Sequence, residues 1–230
     1  MGRLGVVLLV VAGAAAGAAA SFAAQSPKAL RLSILAAARA QHSVHYVGTS
    51  VGPVRTQIVG DAATDRGIQR ITFTRGGKTG HVTVVVVKRT AYIRGDAFTL
   101  NTYMELPAPG AARYAGRWIS VAHSNRAYAD IAAEVTLSSF VGGLDLGGKT
   151  VRVSGTFGGR KVVGVRMTRA EQGLREVETL FARPGRLHLP VAEKDVVVGQ
   201  GWTQATLSRW NERVRAHAPA HAVPYAKVVQ

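Results

Sequence analysis

The sequence of 230 residues contains no cysteine. It therefore cannot form disulfides, use a thiol as a nucleophile or hold zinc through thiolates. It also offers no thiol for the acylation that anchors bacterial lipoproteins, so we expect no covalent lipid anchor on this chain.

Acidic residues are few, 13 against 29 lysines and arginines, which gives a formal net charge of +16. The basic residues are scattered, whereas a nucleic-acid site concentrates them on one face, so we expect no nucleic-acid partner. A diffuse positive field favours an anionic membrane surface or wall polymer, and an envelope protein is a further partner to consider. The composition that a GC-rich genome produces explains the same charge. Both explanations stay open.

Long hydrophobic runs are absent except at the N-terminus. Arg3 precedes an uncharged apolar run, Leu4 to Ala20, and small residues suited to signal peptidase occur at 18–20 and 21–23. This arrangement is typical of a secretory signal peptide over residues 1–23. An uncleaved signal-anchor is the alternative, because about 20 apolar residues span a bilayer as a helix. In either case we expect the rest of the chain to be exported, to the periplasm, the cell envelope or the medium.

The remaining length predicts one domain, residues 24–215. Ser26 and Pro27 fit the N-cap and first position of a helix, and apolar spacing extends this helix to about Gln41. We expect the Ala-, Pro- and His-rich residues 216–230 to form a loosely held tail. Two further segments, 97–104 and 124–135, are predicted to be helical.

Most other segments alternate with the period of two that predicts strands. Turn signals at 75–78, 158–159 and 183–186 join consecutive strands as hairpins. Consecutive hairpins predict an α+β fold, with an antiparallel sheet and helices segregated to one side. The strands begin at Ser43 and continue over 54–61, 67–75, 81–89, 90–94, 116–121, 151–157, 161–168, 177–182 and 187–191.

Three motifs lack the context that their chemistry needs. Gly48–Gly52 matches G-x-S-x-G, but Pro53 and another strand follow where a nucleophile elbow needs a helix. A strand end and a helix cap explain the Arg94-Gly95-Asp96 tripeptide. The histidine pairs 42/45 and 217/221 have no nearby carboxylate as a third metal ligand. We therefore predict no catalytic residue, no metal and no cofactor.

Three phrases carry a resemblance to a known family. With the first helix and the hairpins, they resemble the LolA/LolB-type lipoprotein-carrier superfamily, and most closely its actinobacterial LppX/LprG-type envelope branch. The resemblance spans roughly residues 27–220. The phrases are Thr90–Ala97 followed by Ala115–Val121, Glu178–Ala182 followed by Gly185 and Leu189-Pro190-Val191, and Thr206–Val214 reaching Ala218-Pro219.

This resemblance implies a strongly curved, open antiparallel half-barrel with helices covering its concave face. It implies that acyl chains bind between sheet and helices and are ferried across an aqueous compartment. It also implies a final strand over Thr206–Val214. The chain departs from the branch in lacking its lipobox cysteine, which puts a role as an anchored acceptor in doubt.

The leading hypothesis is an exported, non-enzymatic carrier or sensor for a lipid or other hydrophobic ligand, since a water-free gap suits acyl chains at about 0.8 kcal/mol per buried CH₂. One alternative is an envelope interaction module with a filled core and a basic docking surface. Another is an enzyme on the same scaffold that uses Ser50. The candidate ligand-binding residues, for each of which ordinary core packing is the competing explanation, are Val84, Val86, Tyr92, Phe98, Tyr103, Trp118, Phe140, Leu144, Phe157 and Phe181.

Overall fold

The computed structural model describes residues 25–146, 148–171 and 173–229. The predicted signal peptide, residues 1–23, lies outside these described residues. Within them, twelve strands form one sheet. The strands are β1 Ser43–Val51, β2 Val54–Ala63, β3 Arg66–Arg75, β4 Lys78–Val87, β5 Thr90–Gly95, β6 Ile119–Ala122, β7 Thr150–Phe157, β8 Arg160–Glu171, β9 Leu174–Ala182, β10 Pro190–Val197, β11 Gly201–Ser208 and β12 Val223–Pro224.

The strand order is β12-β6-β5-β4-β3-β2-β1-β11-β10-β9-β8-β7. Neighbouring strands are antiparallel except β12, which pairs with β6 in parallel. The right-handed twist between neighbours accumulates over so many strands, and the sheet curves without closing. This architecture confirms the predicted α+β half-barrel.

Two glycine turns show why the hairpins were visible in the sequence. Gly76 and Gly77 join β3 to β4 with φ of 55° and 76°, and Gly158 and Gly159 join β7 to β8 with φ of 55° and 75°. Positive φ at both central residues defines the type I′ turn, whose twist matches that of the flanking strands. Glycine adopts this conformation without the steric penalty that other residues incur.

Five α-helices lie within the described residues. The first begins as predicted, because the Ala29 N–H donates to Ser26 Oγ at 3.2 Å, and it ends at Arg39. Asp96 caps the second helix by accepting from the Thr99 N–H at 2.7 Å. The helices are α1 Pro27–Arg39, α2 Ala97–Tyr103, α3 Ala108–Tyr114, α4 Tyr128–Ile131 and α5 Leu137–Gly143, and a 3₁₀ turn covers Tyr225–Lys227.

The helices cover the inner, concave face of the sheet and bury two separate hydrophobic cores. In the first core, α1 and α5 pack on β1, β8 and β9; in the second, α2, α3 and α4 pack on β3 to β6. Burial of each large aliphatic side chain stabilises the folded state by about 1.5–3 kcal/mol relative to leaving that side chain exposed. The first core includes Leu30, Ile34, Tyr46, Phe140, Leu144 and Leu180, and the second includes Val84, Val86, Ile93, Leu100 and Ile119.

Several predicted elements are wrong in extent. The strand predicted over 187–191 is observed as β10, Pro190–Val197. The helix predicted over 124–135 is present only as α4, because the Asn125 side chain accepts from the Ala127 N–H and Glu134 has a left-handed φ of 59°. The strand predicted over Thr206–Val214 ends at Ser208. There Arg209 and Asn211 have φ of 45° and 67°, and the Asn211 N–H donates to the Ser43 carbonyl oxygen at 3.0 Å.

The expectation of a loosely held tail over residues 216–230 is wrong for its last described part. Val223 and Pro224 form β12 on the edge of the sheet beside β6. Val228 is buried in the second core, and the Tyr114 hydroxyl donates to the Lys227 carbonyl oxygen at 3.0 Å. Burial of Val228 and strand pairing hold this segment in place, a long-range contact that local composition does not show.

Over the described residues, no helix combines the length and apolarity required to cross a bilayer.

Candidate functional site

The two cores do not merge on the inner face of the sheet. Ile58 on β2 contacts both of them and is itself only partly buried. Strand register places Ile58 opposite Ile71 on β3, and Thr56 opposite Phe73. The inner face therefore has a gap over the middle of β2 and β3, between the helices of one core and those of the other.

A cavity of about 360 Å³ occupies this gap. Its floor consists of alternate residues of β2 and β3, and its sides come from α2 and from the loop before α5. Most of its wall is apolar, while Gln69, which is only 4% exposed, two threonines, Tyr103 and Glu134 supply polar groups. The lining residues are Val54, Thr56, Ile58, Gln69, Ile71, Phe73, Thr102, Tyr103, Ala133 and Glu134.

The loop that carries Ala133 and Glu134 is held against the sheet by Tyr46. The Tyr46 ring stacks on Phe140 of α5 with centroids 4.7 Å apart, and its hydroxyl donates to the Glu134 carbonyl oxygen at 3.0 Å. Gly67 lets the loop approach, because a Cβ there would overlap the Val135 carbonyl oxygen. One wall of the cavity is thus fixed to its floor.

Six of the ten predicted ligand-binding residues lie on the inner side of the sheet. Val84 and Val86 are fully buried in the second core, and Phe140 and Leu144 are buried in the first. The remaining two are on α2. Phe98 stacks on Phe73 with centroids 5.4 Å apart, and Tyr103, 39% exposed, lines the cavity.

The other four predicted residues lie on the outer face. Tyr92 alternates with Ala91 and Ile93, which point into the second core, and Trp118 lies under the Arg94 guanidinium at 5.0 Å. Phe181 lies between the inward-facing Leu180 and Ala182, and its ring stacks on Phe157 with centroids 6.1 Å apart. The structure does not bring these four aromatic residues to the cavity.

Sequence reasoning missed most of the lining residues. Most of them are aliphatic or polar residues, six of the ten lie on β2 and β3, and the predicted residues are mainly aromatic. The available signal was the alternation Gln69, Ile71, Phe73 on one strand beside Val54, Thr56, Ile58 on the next. That alternation predicts a shared face, but not the gap above it.

Solved structures with a similar architecture are known. LprF from Mycobacterium bovis superposes with a TM-score of 0.54 at 17% identity, over 85% of this chain and 100% of LprF. The chain therefore shares the overall fold of LprF. The Mycobacterium tuberculosis lipoprotein LppX gives a TM-score of 0.49 at 15% identity, over 84% of this chain and 100% of its own. An uncharacterized conserved protein from Thermus thermophilus gives a TM-score of 0.44 at 7% identity, over 87% of this chain and 98% of its own. No protein-family model and no curated protein sequence matches the chain.

The inner face of this half-barrel carries carboxyl groups beside the first core. Glu193 on β10 is half-buried and lies in register between Leu180 and Ala205, which contact the first core. Burial raises the pKa of Glu193 to about 8, and the negative charge of Glu134 acts in the same direction. Partial desolvation also raises the pKa of Glu134. Glu134 in the cavity wall and Glu193 beside the first core therefore keep their protons to higher pH than exposed carboxyl groups do.

Three further carboxylates, Glu176, Glu178 and Asp195, lie together toward the N-terminal end of β9 and the C-terminal end of β10. Their oxygens are within 4.8 Å of one another. Arg169 on β8 bonds to Glu176 and reaches Glu178 at 3.1 Å. The hydrogen bond from Arg169 lowers the pKa of Glu176, while desolvation raises the pKa values of Glu178 and Asp195. This arrangement is an ion-pair network within the sheet.

The motifs that lack a catalytic or metal-binding context in the sequence have structural roles in the fold. Ser50 lies in β1 and accepts from the Thr203 hydroxyl at 3.2 Å, and strand β2 follows. Asp96 caps α2, as predicted, and also accepts from the His81 N–H at 2.8 Å. His45 Nδ1 lies 2.7 Å from Asp61 Oδ1 on the neighbouring strand. These contacts account for Ser50, Asp96 and His45 as parts of the fold.

Proposed function

We propose that this protein is an exported, non-enzymatic carrier or sensor that binds a lipid or another hydrophobic molecule in the hollow between the curved sheet and its helices. The observation that supports it is the cavity of about 360 Å³ over β2 and β3. Small-molecule sites are typically about 300–1,000 Å³, mostly apolar, with a few polar groups that fix orientation.

The chemistry of the lining supports a ligand with an apolar body and a polar end. Ile58, Ile71 and Phe73 form an apolar floor that favours hydrocarbon over water. Gln69 and Glu134 provide hydrogen-bonding groups at one side of the same space. The hydrocarbon part would lie on the floor while the polar end contacts these groups.

The proposal includes export of the protein and a role without catalysis. The N-terminal residues 1–23 have the pattern of a secretory leader. Ser50, the residue with the most enzyme-like motif, lies in a strand that leads to another strand, without the helix N-terminus that activates a nucleophile elbow. The LolA-like fold is compatible with a carrier but does not by itself define an activity.

Native mass spectrometry of the protein, purified without detergent, tests the proposal. We expect a fraction of the chain to carry one non-covalent hydrophobic molecule, and a fluorescent fatty acid or lipid to bind saturably at one site per chain. A chain that is free of ligand and also ignores these probes would overturn the carrier. That result would favour the alternative, an envelope module that docks through its basic surface.

A further inference from the structure

One end of the sheet carries a concentration of positive charge that the sequence alone did not reveal. The turn between β7 and β8 and the loop between β9 and β10 lie at this end, and we call residues 157–161 and 183–187 the basic tip. A surface depression of about 490 Å³ lies between the two segments, with Phe157, Lys161 and Pro184 in its wall. Four basic residues of the tip are exposed: Arg160, Lys161, Arg183 and Arg186.

The charge of the basic tip is not neutralised by neighbours. Neither segment contains an acidic residue. Among the ion pairs of the described residues, none involves these four cations. The tip is therefore free to attract an anionic partner.

An apolar side chain projects from the same loop. Leu187 is 75% exposed, the largest exposed fraction among the large hydrophobic residues that the structure describes. It directly follows Arg186, and the partly buried Phe157 ends the neighbouring strand β7. Basic side chains around an exposed leucine are suited to the interface of an anionic bilayer, where headgroups meet the cations and the leucine leaves water. A wall polymer also carries negative charge, but it has no apolar phase for the leucine to enter, so the bilayer fits these residues better.

The opposite end of the same strands is less basic, because acidic residues there offset Arg169, Arg175 and Lys194. Glu176 and Glu178 on β9, with Asp195 on β10, lie toward the ends that point away from the tip. Six residues separate Glu176 from Ala182, which is about 20 Å at roughly 3.3 Å per residue. An anionic surface would attract the basic tip more strongly than the opposite end of these strands, and this difference would orient the molecule.

We propose that the basic tip docks on the surface of an anionic lipid bilayer, with Leu187 entering the headgroup region and the opposite end of β9 and β10 directed away. The proposal does not depend on whether the hollow binds a ligand.

Because the chain has no cysteine, a single introduced cysteine can carry an environment-sensitive dye at a defined position. Leu187→Cys places the dye in the tip. Val198→Cys is the matched control, because Val198 is also apolar, is 53% exposed and follows β10 at its opposite end. On phosphatidylcholine vesicles that contain phosphatidylglycerol, we expect the dye at 187 to shift to the blue and brighten about twofold or more, and the dye at 198 to remain in water.

Two results overturn the proposal. One is an equal response of both dyes, or a response at 198 alone. The other is no response at 187 when the protein is bound to vesicles, as would follow if residues 1–23 alone attached it. Vesicles of phosphatidylcholine only should leave both dyes unchanged. A response of the dye at 187 on these vesicles as large as on the anionic ones would contradict the charge argument.

Charge reversal separates the tip from the diffuse field of the whole chain. Arg183→Glu with Arg186→Glu is compared with Arg75→Glu and Lys78→Glu, two exposed cations in the β3–β4 turn at the other end of the sheet. Both double variants change the net charge equally. We expect co-sedimentation with anionic vesicles to weaken at least about tenfold for the tip variant and about twofold or less for the control. Equal weakening would show that only the net charge matters.

Discussion

At the residue scale, Tyr46 links the floor of the cavity to one of its walls. Its hydroxyl donates to the backbone of Glu134, and its ring stacks on α5. Burial of the ring is retained when the hydroxyl is removed, so a substitution to phenylalanine isolates the hydrogen bond. The Tyr46 hydroxyl is thus a local test of how the loop is held.

We expect Tyr46→Phe to lower the free energy of unfolding by about 1 kcal/mol, the usual net contribution of one hydrogen bond. Chemical denaturation measures this change. Tyr92→Phe, on the outer face, is the matched control and should change stability by no more than about 0.5 kcal/mol. Equal effects of the two substitutions would mean that the Glu134 contact does not hold the loop.

Glu193 makes a second prediction at this scale, on pH dependence. Its pKa in the folded protein is about 8, above the ordinary value of a glutamate. Between about pH 4.3 and that value, the folded state keeps a proton that the unfolded state has released, so the free energy of unfolding falls as the pH rises. Glu134, Glu178 and Asp195 have raised pKa values and act in the same direction.

Denaturation at about pH 5 and about pH 9 measures this decline. We expect Glu193→Gln to reduce it, because glutamine has no proton to lose in this range, and the exposed Glu105→Gln to leave it as it is. A decline of the same size in the Glu193→Gln variant would contradict the assignment of the raised pKa to Glu193.

At the scale of secondary-structure elements, the C-terminal segment tests the contact between β12 and the rest of the sheet. Val228 is 8% exposed in the second core, whereas its neighbour Val229 is 53% exposed. Val228→Asp would bury a charge without a partner, so we expect a loss of more than about 2 kcal/mol. Val229→Asp should cost less than about 0.5 kcal/mol. Thermal unfolding of the pair measures both values, and similar melting temperatures would mean that the segment is loosely held after all.

This segment also shows which parts of the fold could be predicted from sequence. The hairpins at Gly76-Gly77 and Gly158-Gly159 were predictable, because their turns and their pairing are local in the chain. The pairing of Val223 with Ile119 joins residues about a hundred positions apart, and no local pattern marks it. The helix predicted over 124–135 failed for a different reason, since the Asn125 side chain competes for backbone hydrogen bonds.

The candidate site was harder to predict than the fold. Alternation on β2 and β3 indicates which residues share a face, but the gap above Ile58 depends on where α2 and α5 stop covering the sheet. Aromatic residues were a poor guide: Trp118 and Phe181 lie on the outer face, and Phe140 fills the first core. The acidic character of the inner face was also missed, because Glu193 and Glu134 come from distant elements.

At the scale of the whole molecule, acidic and basic groups are distributed unevenly. The chain carries a net charge of +16, yet acidic groups gather on the inner face and at one end of β9 and β10. Basic groups gather at the tip, at the opposite end of the same strands. A hollow that holds a hydrophobic molecule and a tip that contacts a bilayer would serve two separate steps of transfer.

The most direct measurement of whether the hollow holds a ligand is to fill it. Thr56 lies on the floor of the cavity, and the next residue, Gln57, is exposed on the outer face of the same strand. Thr56→Trp and Gln57→Trp therefore place the same bulky side chain on opposite faces of β2. Titration of each variant with a fluorescent fatty acid compares them with the parent protein.

We predict that Thr56→Trp weakens binding of the fatty acid at least about tenfold, since the indole occupies space that the hydrocarbon needs, and that Gln57→Trp changes it by no more than about twofold. Circular dichroism and thermal unfolding confirm that both variants are folded. Unchanged binding in a folded Thr56→Trp variant, or an equal loss in both variants, would contradict a binding site between the sheet and its helices.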